Sequence, residues 1–340
     1  MRKLKIGYLG HSSTGLAPAD RRRMLFWAKR RGHEVKYGFD GKCDVRVVTT
    51  SSNLSQILAE KKTTPVVFDL CDAYHIPWST SVDFLLEMNR NRRHLRLPSF
   101  HRFSEVVREF MCFADFTVFS SPEQESYGMG FAKISSNILD FHSEIPDLPF
   151  HSSKSKTLNL FWEGQVTSLY SLESLLSELD SEAAARIGCV NLLTNQYSKL
   201  LLSSFINIRT EKKFSKLFNL GFPVNRVDWT LENIYSISKR SNLTLIPVSD
   251  NLFTQLKPEN RILISWKLGL PVIADSTPSH LRLERTLNLP LVYHRDWSYS
   301  LNSFNSEQAQ EQVIAGKEYL KENHSEDLLL KKWDLVFQSL

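Results

Sequence analysis

The residues best suited to chemistry form a short charged block, Lys257 to Arg261. Pro258 suits the first position of a helix, because its φ is already helical and its missing N–H would be unpaired there. Apolar residues follow at helical spacing, and Gly269 is placed to end the helix. Lys257, Asn260 and Arg261 at a helix N-terminus suit a phosphate or diphosphate. The residues alone leave a solvated helix cap as an equal alternative.

The elements around this block predict how it is positioned. A β-rich run, Leu243 to Pro247, precedes it and ends in a turn that contains Asp250, and a short apolar strand, Val272 to Ala274, follows. Similar strand-like runs alternate with helical segments along the chain, which favours parallel sheets covered on both faces. The other predicted strands are Lys5–Leu9, Val45–Val48, Val66–Leu70, Phe116–Ser120, Lys133–Ile138, Leu158–Trp162, Cys189–Leu193, Phe205–Ile208 and Arg226–Trp229. The predicted helices of the first half are Asp20–Arg31, Asn53–Glu60 and His101–Phe113.

The pattern lapses around residues 142–156, where two prolines precede a Ser- and Lys-rich stretch, residues 151–156. This is the best linker candidate in the chain. At 340 residues the chain exceeds the usual size of one hydrophobic core. We therefore predict an α/β fold with two Rossmann-like domains, residues 1–150 and 157–315. The C-terminal helices, residues 316–340, are expected to cross back to the first domain.

Cysteine usage and hydropathy indicate the cellular compartment of the protein. The four cysteines are scattered without a CxxC pair, so a structural zinc site or a disulfide framework is not expected. No apolar run approaches the length of a membrane span or of a signal-peptide core. These features predict a cytoplasmic protein.

The net charge of +5 is modest, but basic residues cluster in the first half of the chain, at Arg21–Arg23, Lys29–Arg31 and Arg90–Arg102. Such clusters favour an anionic partner such as the inner leaflet of a membrane, although a solvated helix face is the commoner explanation of any one cluster. Aromatic residues are poorly interleaved with the charge, so a nucleic-acid partner is not expected.

Four further candidates lie where predicted strands end, the edge at which α/β proteins bind ligands. Asp72 is a candidate base for an acceptor hydroxyl or a turn-forming aspartate, and His11 is a candidate cleft residue or a solvated loop histidine. Gly164 would let a phosphate approach the backbone or simply form a turn. Trp229 would flank a nucleotide base or belong to the core.

Several segments of the chain together carry a family resemblance. Arg31–Val35 resembles the "GHEV" turn after the first helix of many GT-B glycosyltransferases. Lys257–Arg261 with Gly269–Ala274 resembles the "K-P/S-x-N-R … G-x-P-V-I-A" block in the donor domain of the retaining, family-4-like group (glycosyltransferase group 1). Val66–Asp72 and Ala114–Ser121 look like acceptor-domain strands of the same group.

This resemblance implies two Rossmann-like domains facing a cleft. It implies transfer of a sugar from a nucleotide sugar, held by the C-terminal domain, to a glycan or lipid-linked acceptor held by the N-terminal one. Such enzymes need no cofactor and no divalent metal, and basic side chains neutralise the leaving diphosphate. In that picture Lys257 and Arg261 face the diphosphate.

One departure from the family pattern affects the donor site. Retaining members often place a Glu five residues before the glycine of the "G-x-P-V" turn to bind the donor ribose, and this chain has Ile264 there. A second acidic residue usually lies eight positions earlier, where this chain has Leu256. Asp250 and Glu259 are the acidic residues that would have to take the place of the family's two acidic residues. A catalytically inactive binding or assembly subunit of the same fold is therefore the alternative function.

Overall fold

The computed structural model describes residues 2–38, 42–77, 102–150, 157–200, 203–290 and 296–340. The chain forms two compact units. Unit 1 comprises Met1–Phe141, Asn251–Pro258 and His324–Leu340, and unit 2 comprises His142–Asp250 and Glu259–Asn323. The chain thus enters unit 2 before the expected boundary at residue 150, and the expected linker, residues 151–156, lies outside the described residues.

Unit 1 is built on a six-stranded parallel sheet of order β2-β1-β3-β4-β5-β6. Its strands are β1 (Lys5–Leu9), β2 (Glu34–Tyr37), β3 (Val45–Thr49), β4 (Val66–Leu70), β5 (Phe116–Phe119) and β6 (Ser135–Asn137). Its helices are α1 (Pro18–Arg21), α2 (Met24–Arg31), α3 (Leu54–Ala59), α4 (Phe103–Phe113) and α5 (Pro122–Gly128), with α11 (Leu252–Gln255) and α16 (Glu326–Gln338) from later in the chain. Both β4 and β5 are buried throughout, as expected for strands covered on both faces.

Unit 2 is built on a five-stranded parallel sheet of order β11-β8-β7-β12-β13. Its strands are β7 (Leu158–Glu163), β8 (Ile187–Leu193), β11 (Val224–Val227), β12 (Leu243–Ile246) and β13 (Val272–Ala274), and β9 (Tyr197–Leu200) pairs with β10 (Ser203–Arg209) separately. Its helices are α6 (Leu169–Ser177), α7 (Ser181–Arg186), α8 (Thr210–Lys213), α9 (Ser215–Phe218), α10 (Leu231–Ser238), α12 (Asn260–Lys267), α13 (Pro278–Leu287), α14 (Trp297–Ser303) and α15 (Ser306–Asn323). The prediction of an α/β fold with two Rossmann-like sheets is confirmed.

The predicted helix Asp20–Arg31 is wrong as a single element, because the structure divides it into α1 and α2. At Arg23 the backbone leaves the helical region, with φ −123° and ψ −118°. The Arg23 side chain is fully buried, and its Nε and Nη2 donate to Asp69 Oδ1 at 2.9 and 2.7 Å. This ion pair holds the guanidinium in the core at the point where the helix is interrupted.

The predicted strand Phe205–Ile208 is not part of the parallel sheet. It lies within β10, which forms an antiparallel ribbon with β9. Only two residues separate these strands, and parallel neighbours need a crossover of about a dozen residues or more. The short connection therefore forces the antiparallel arrangement.

Helix α12 follows the charged block but begins later than predicted. Glu259 is its N-cap and Asn260 its first residue, so Pro258 lies before the cap rather than in the first turn. The helix buries Leu263 and Trp266 and ends at the predicted place, where Gly269 adopts a φ of +72°. A Cβ on Gly269 would also overlap the Pro149 carbonyl oxygen. Both the backbone conformation and the packing therefore require glycine at this position.

Candidate active site

Unit 2 has a topological switch point between β7 and β12. The chain leaves β7 towards β8 and β11 on one side of the sheet and returns to β12 and β13 on the other. In open α/β sheets the crevice beyond the carboxyl ends of two such strands is where ligands bind. A narrow pocket lies at this point. It is lined by Phe161, Glu163, Thr244, Leu245, Ile246, Arg261, Ile264 and Ser265.

Arg261 is the cation of this pocket and lies in the first turn of α12. The side chain is half-buried, and burial lowers the pKa of its guanidinium, while the carboxylates of Glu163 and Asp275 oppose that shift. Among the described residues, none accepts a hydrogen bond from this guanidinium or lies within ion-pair distance of it. A partly desolvated arginine in this state gains from an anion that reaches it.

The two carboxylates near Arg261 are held by other groups. Glu163, the last residue of β7, accepts a hydrogen bond from Trp229 Nε1 at 2.8 Å. Asp275, just beyond β13, accepts from the backbone N–H of Val248 at 2.6 Å, and burial raises its pKa. These contacts fix both carboxylates in place without pairing either of them with Arg261.

Glu163 and Asp275 were not singled out from the sequence. The available signal was their position, since each directly follows an apolar run that is a buried strand. Trp229, a predicted donor residue, is half-buried and adjoins the pocket through Glu163.

Two other predicted donor residues of α12 make contacts within unit 2. Glu259 is 3% exposed, and its Oε1 accepts from Arg282 Nη2 at 2.8 Å. Asn260 Oδ1 lies 3.2 Å from His142 Nε2. Neither residue lines the pocket around Arg261.

Lys257 belongs to unit 1, unlike Arg261. Its Nζ lies 5.5 Å from the ring centre of Phe253, a cation–π contact. The preceding Leu256 is buried, and its carbonyl accepts from Gln124 Nε2 at 3.0 Å. The charged block that stands out in the sequence is thus divided between the two units.

Gly164 and Asp250 follow the carboxyl ends of β7 and β12. A Cβ on Gly164 would lie 2.9 Å from Cη2 of the fully buried Trp162, so packing alone requires glycine there. Asp250 is exposed and does not line the pocket. Packing against Trp162 therefore explains the glycine at position 164 without a ligand.

In unit 1, the structure places His11 and Asp72 at the carboxyl edge of the sheet, after β1 and β4. The His11 Nδ1 lies 3.3 Å from the hydroxyl of Ser51, which follows β3. Because β1 is flanked by β2 and β3, this contact bridges the switch point of unit 1. Asp72 is half-buried, and its carbonyl accepts from the backbone N–H of Tyr74 at 2.7 Å, a turn contact.

The basic clusters that the sequence suggested for an anionic partner are partly used inside unit 1. Arg23 pairs with Asp69, Arg30 pairs with Glu326 at 2.8 Å, and Arg31 pairs with Asp334 at 2.5 Å. The cluster from Arg90 to Arg96 lies outside the described residues. No helix of the described part of the chain is both long and apolar enough to cross a membrane.

Comparison with known proteins gives the fold its name. No protein-family model matches the chain, and no curated protein matches it. Among solved structures, Anabaena Alr3699/HepE in complex with UDP and glucose matches with a TM-score of 0.63 and 10% identity, over 99% of this chain and 100% of that one. The chain has the fold of the GT-B glycosyltransferases. Its placement in the family-4-like group stays a prediction.

Two other solved structures support the same assignment of fold. A glycosyltransferase from Rickettsia africae matches with a TM-score of 0.59 and 12% identity, over 99% of this chain and 98% of that one. TarM also matches with a TM-score of 0.59, at 9% identity. The match covers 86% of this chain but only 54% of TarM, so this chain spans about half the length of that protein.

Proposed function

We propose that this protein is a glycosyltransferase that binds a nucleoside-diphosphate sugar at the β7/β12 switch point of unit 2. The observation that carries the proposal is Arg261, a half-buried cation that lines the pocket there and has no ion-pair partner among the described residues. A diphosphate would supply the missing negative charge, and Arg261 would stabilise it as it leaves. HepE, which shares the fold, has been solved with UDP-glucose.

Glu163 is the residue we assign to the ribose hydroxyls. The family's usual position for that carboxylate holds Ile264, which is 3% exposed and packs in an apolar cluster with Phe161 and Leu268. Glu259 is engaged by Arg282, and Asp250 lies outside the pocket lining. Glu163 lines the pocket, and its fixed carboxylate can accept hydrogen bonds from neighbouring hydroxyls.

The acceptor is assigned to unit 1, with Asp72 as the base that receives a proton from the attacking hydroxyl and His11 as a second polar contact. Retention of the anomeric configuration and independence of divalent metal belong to the proposal, as does a glycan or lipid-linked acceptor at the inner face of the membrane. Support for these parts comes from the family resemblance and from the positions of both residues at the carboxyl edge of the sheet.

The direct test is calorimetric titration with UDP and a panel of other nucleoside diphosphates. We expect one of them to bind, and Arg261→Gln to weaken it about tenfold to a hundredfold, the range for one lost hydrogen-bonded charge. Arg285→Gln is the matched control, since it removes the same charge from an exposed side chain of unit 2. Binding that both variants weaken equally, or no binding of any diphosphate, would refute the proposal.

The second candidate function is a binding or assembly subunit that has lost catalysis. The observation that favours it is the apolar packing of Ile264, which leaves no carboxylate at the family's position. Incubating the protein with nucleotide sugars distinguishes the two functions. Release of nucleoside diphosphate that Arg261→Gln abolishes would exclude the inactive subunit.

A further inference from the structure

The loop after β1 in unit 1 is organised around one buried carboxylate. Asp20, in α1, is fully buried. Its Oδ1 accepts from the Tyr8 hydroxyl at 2.6 Å and from the backbone N–H of His11 at 2.7 Å. Its Oδ2 accepts from the backbone N–H of Ser12 at 3.0 Å and from the Ser12 hydroxyl at 2.8 Å. A single carboxylate thus receives four hydrogen bonds.

Two of these donors are consecutive backbone N–H groups, and such pairs form the concave anion sites of many loops. In this chain the anion is the protein's own Asp20. The Ser12 hydroxyl also accepts from the N–H groups of Leu16 and Ala17, at 3.0 and 3.2 Å, which holds the loop closed. A phosphate or carboxylate brought to this loop would find its donors taken and a fixed negative charge beside it.

The fully buried Arg23 does not offset the charge of Asp20. Arg23, three residues later, is fully buried and donates to Asp69 and to the carbonyl of Ile138. The Arg23 guanidinium is therefore committed to Asp69 and Ile138 rather than to Asp20. The loop presents Asp20 without a cation paired to it among the described residues.

The His11 imidazole has one ring nitrogen without a hydrogen-bond partner among the described residues. Its Nδ1 contacts Ser51 across the β1/β3 switch point, and its Nε2 is screened from bulk solvent and hydrogen-bonded to no described residue. In either tautomer Nε2 can pair with a hydroxyl, which both donates and accepts. A second hydroxyl is present in Ser51 itself.

We propose that the carboxyl edge of the unit 1 sheet, at the β1/β3 switch point, binds an uncharged, hydroxyl-bearing ligand and that Asp20 excludes anionic ones. Under the proposed function, on which this step rests, the ligand is the sugar acceptor and its reacting unit carries no phosphate or carboxylate. Asp20 touches no ligand; it positions His11 and sets the charge preference.

The binding test uses protein labelled with ¹⁵N at histidine and no nucleotide. Methyl glycosides of glucose, galactose, mannose and N-acetylglucosamine are titrated beside their 6-phosphates, with His11→Gln to assign the imidazole signal. We expect at least one uncharged glycoside to move the His11 signal. Its 6-phosphate should bind at least about tenfold more weakly. Phosphates that bind as well as the glycosides, or a His11 signal that nothing moves, would overturn the proposal.

Two variants separate charge from shape. Asp20→Asn removes the charge, and we expect the discrimination to fall below about threefold. Ser12→Ala removes the three hydrogen bonds of the Ser12 hydroxyl but keeps the charge of Asp20, so it should weaken both ligand classes alike and preserve their ratio. Unchanged discrimination in Asp20→Asn would contradict the assignment.

A measurement on the wild-type protein covers the case in which Asp20→Asn fails to fold. Inorganic phosphate should leave the backbone amide signal of His11 in place, since Asp20 already holds that N–H, and movement of that signal would overturn the proposal. The titrations also distinguish this inference from the proposed function. Failure of every nucleoside diphosphate to bind would defeat the donor site but would leave the glycoside result unaffected.

Discussion

Arg23 and Arg261 are the same residue type in two electrostatic settings. Burial alone lowers the pKa of either guanidinium, but Asp69 and Asp140 outweigh burial at Arg23 and raise its pKa. At Arg261 the nearby carboxylates are bound by Val248 and by Trp229, and the pKa stays lowered. The first arginine is therefore part of the core, while the second is available to a ligand.

His75 provides a test of how burial changes the pKa of a single side chain. It is fully buried in unit 1, and burial, helped by the charge of Arg108, lowers its pKa to about 4. Because an unfolded histidine titrates near 6.5, the unfolded chain gains the proton first as pH falls. We expect the free energy of unfolding to drop by about 2 kcal/mol between pH 7 and pH 5, and by about 3 kcal/mol in all as pH passes through 4.

Denaturant titrations of the wild type and His75→Leu at several pH values measure this loss. The variant cannot titrate at this position, so the difference between the two proteins isolates the contribution of His75. A difference that stays constant from pH 7 to pH 5 would contradict the assignment.

Two structural constraints meet at Gly269, at the end of α12. Gly269 has a φ of +72°, and a Cβ there would overlap the Pro149 carbonyl oxygen. The turn also carries a hydrogen bond of 2.7 Å from the N–H of Leu148 to the carbonyl of Lys267. The segment before β7 is thus fastened to the end of the helix that bears Arg261.

Gly269→Ala tests this junction. The left-handed conformation costs about 1 to 2 kcal/mol for a non-glycine residue, and the overlap adds to that cost. We expect a loss of about 3 kcal/mol or more, measured by denaturant unfolding. Gly32→Ala is the control, because Gly32 ends α2 with a φ of +70° and open space around its Cβ position. Equal losses in both variants would show that the overlap relaxes freely.

Unit 1 is completed by residues from the end of the chain. Helix α16 contributes buried side chains to the core beneath α2, and the ring of Phe337 stacks on Trp27 at 4.2 Å. Asp334 joins the same two helices, accepting from Trp27 Nε1 at 2.8 Å and from Arg31. Unit 1 is therefore not complete until the last residues are in place.

Truncation after Asn323 tests this dependence. It removes five buried apolar side chains of α16, each worth about 1.5–3 kcal/mol, and that total is comparable to the 5–15 kcal/mol stability of a typical domain. We expect unit 1 to lose its cooperative unfolding transition and to become sensitive to limited proteolysis. Truncation after Gln338 is the control, since Ser339 and Leu340 are exposed. A cooperative unit 1 without α16 would refute this account.

Local features of the sequence are enough to predict most elements of this protein. Strand and helix periodicity predict the two parallel sheets, and Gly269 predicts the end of α12, because periodicity and caps depend on residues within a few positions of one another. His11 and Asp72 are placed at the sheet edge for the same reason, since each directly follows an apolar strand. Local patterns are therefore enough to predict the class of fold and the polar residues that follow the strand ends.

Contacts between distant parts of the chain determine which charged side chains are paired. Arg23 is joined to Asp69 from 46 positions away and Arg31 to Asp334 from 303 positions away. Lys257 and Arg261, four positions apart, belong to different units. Glu163 and Asp20 find their hydrogen-bond partners in other parts of the fold. Desolvation and ion pairing depend on what folding brings into contact, so no local pattern carries that information.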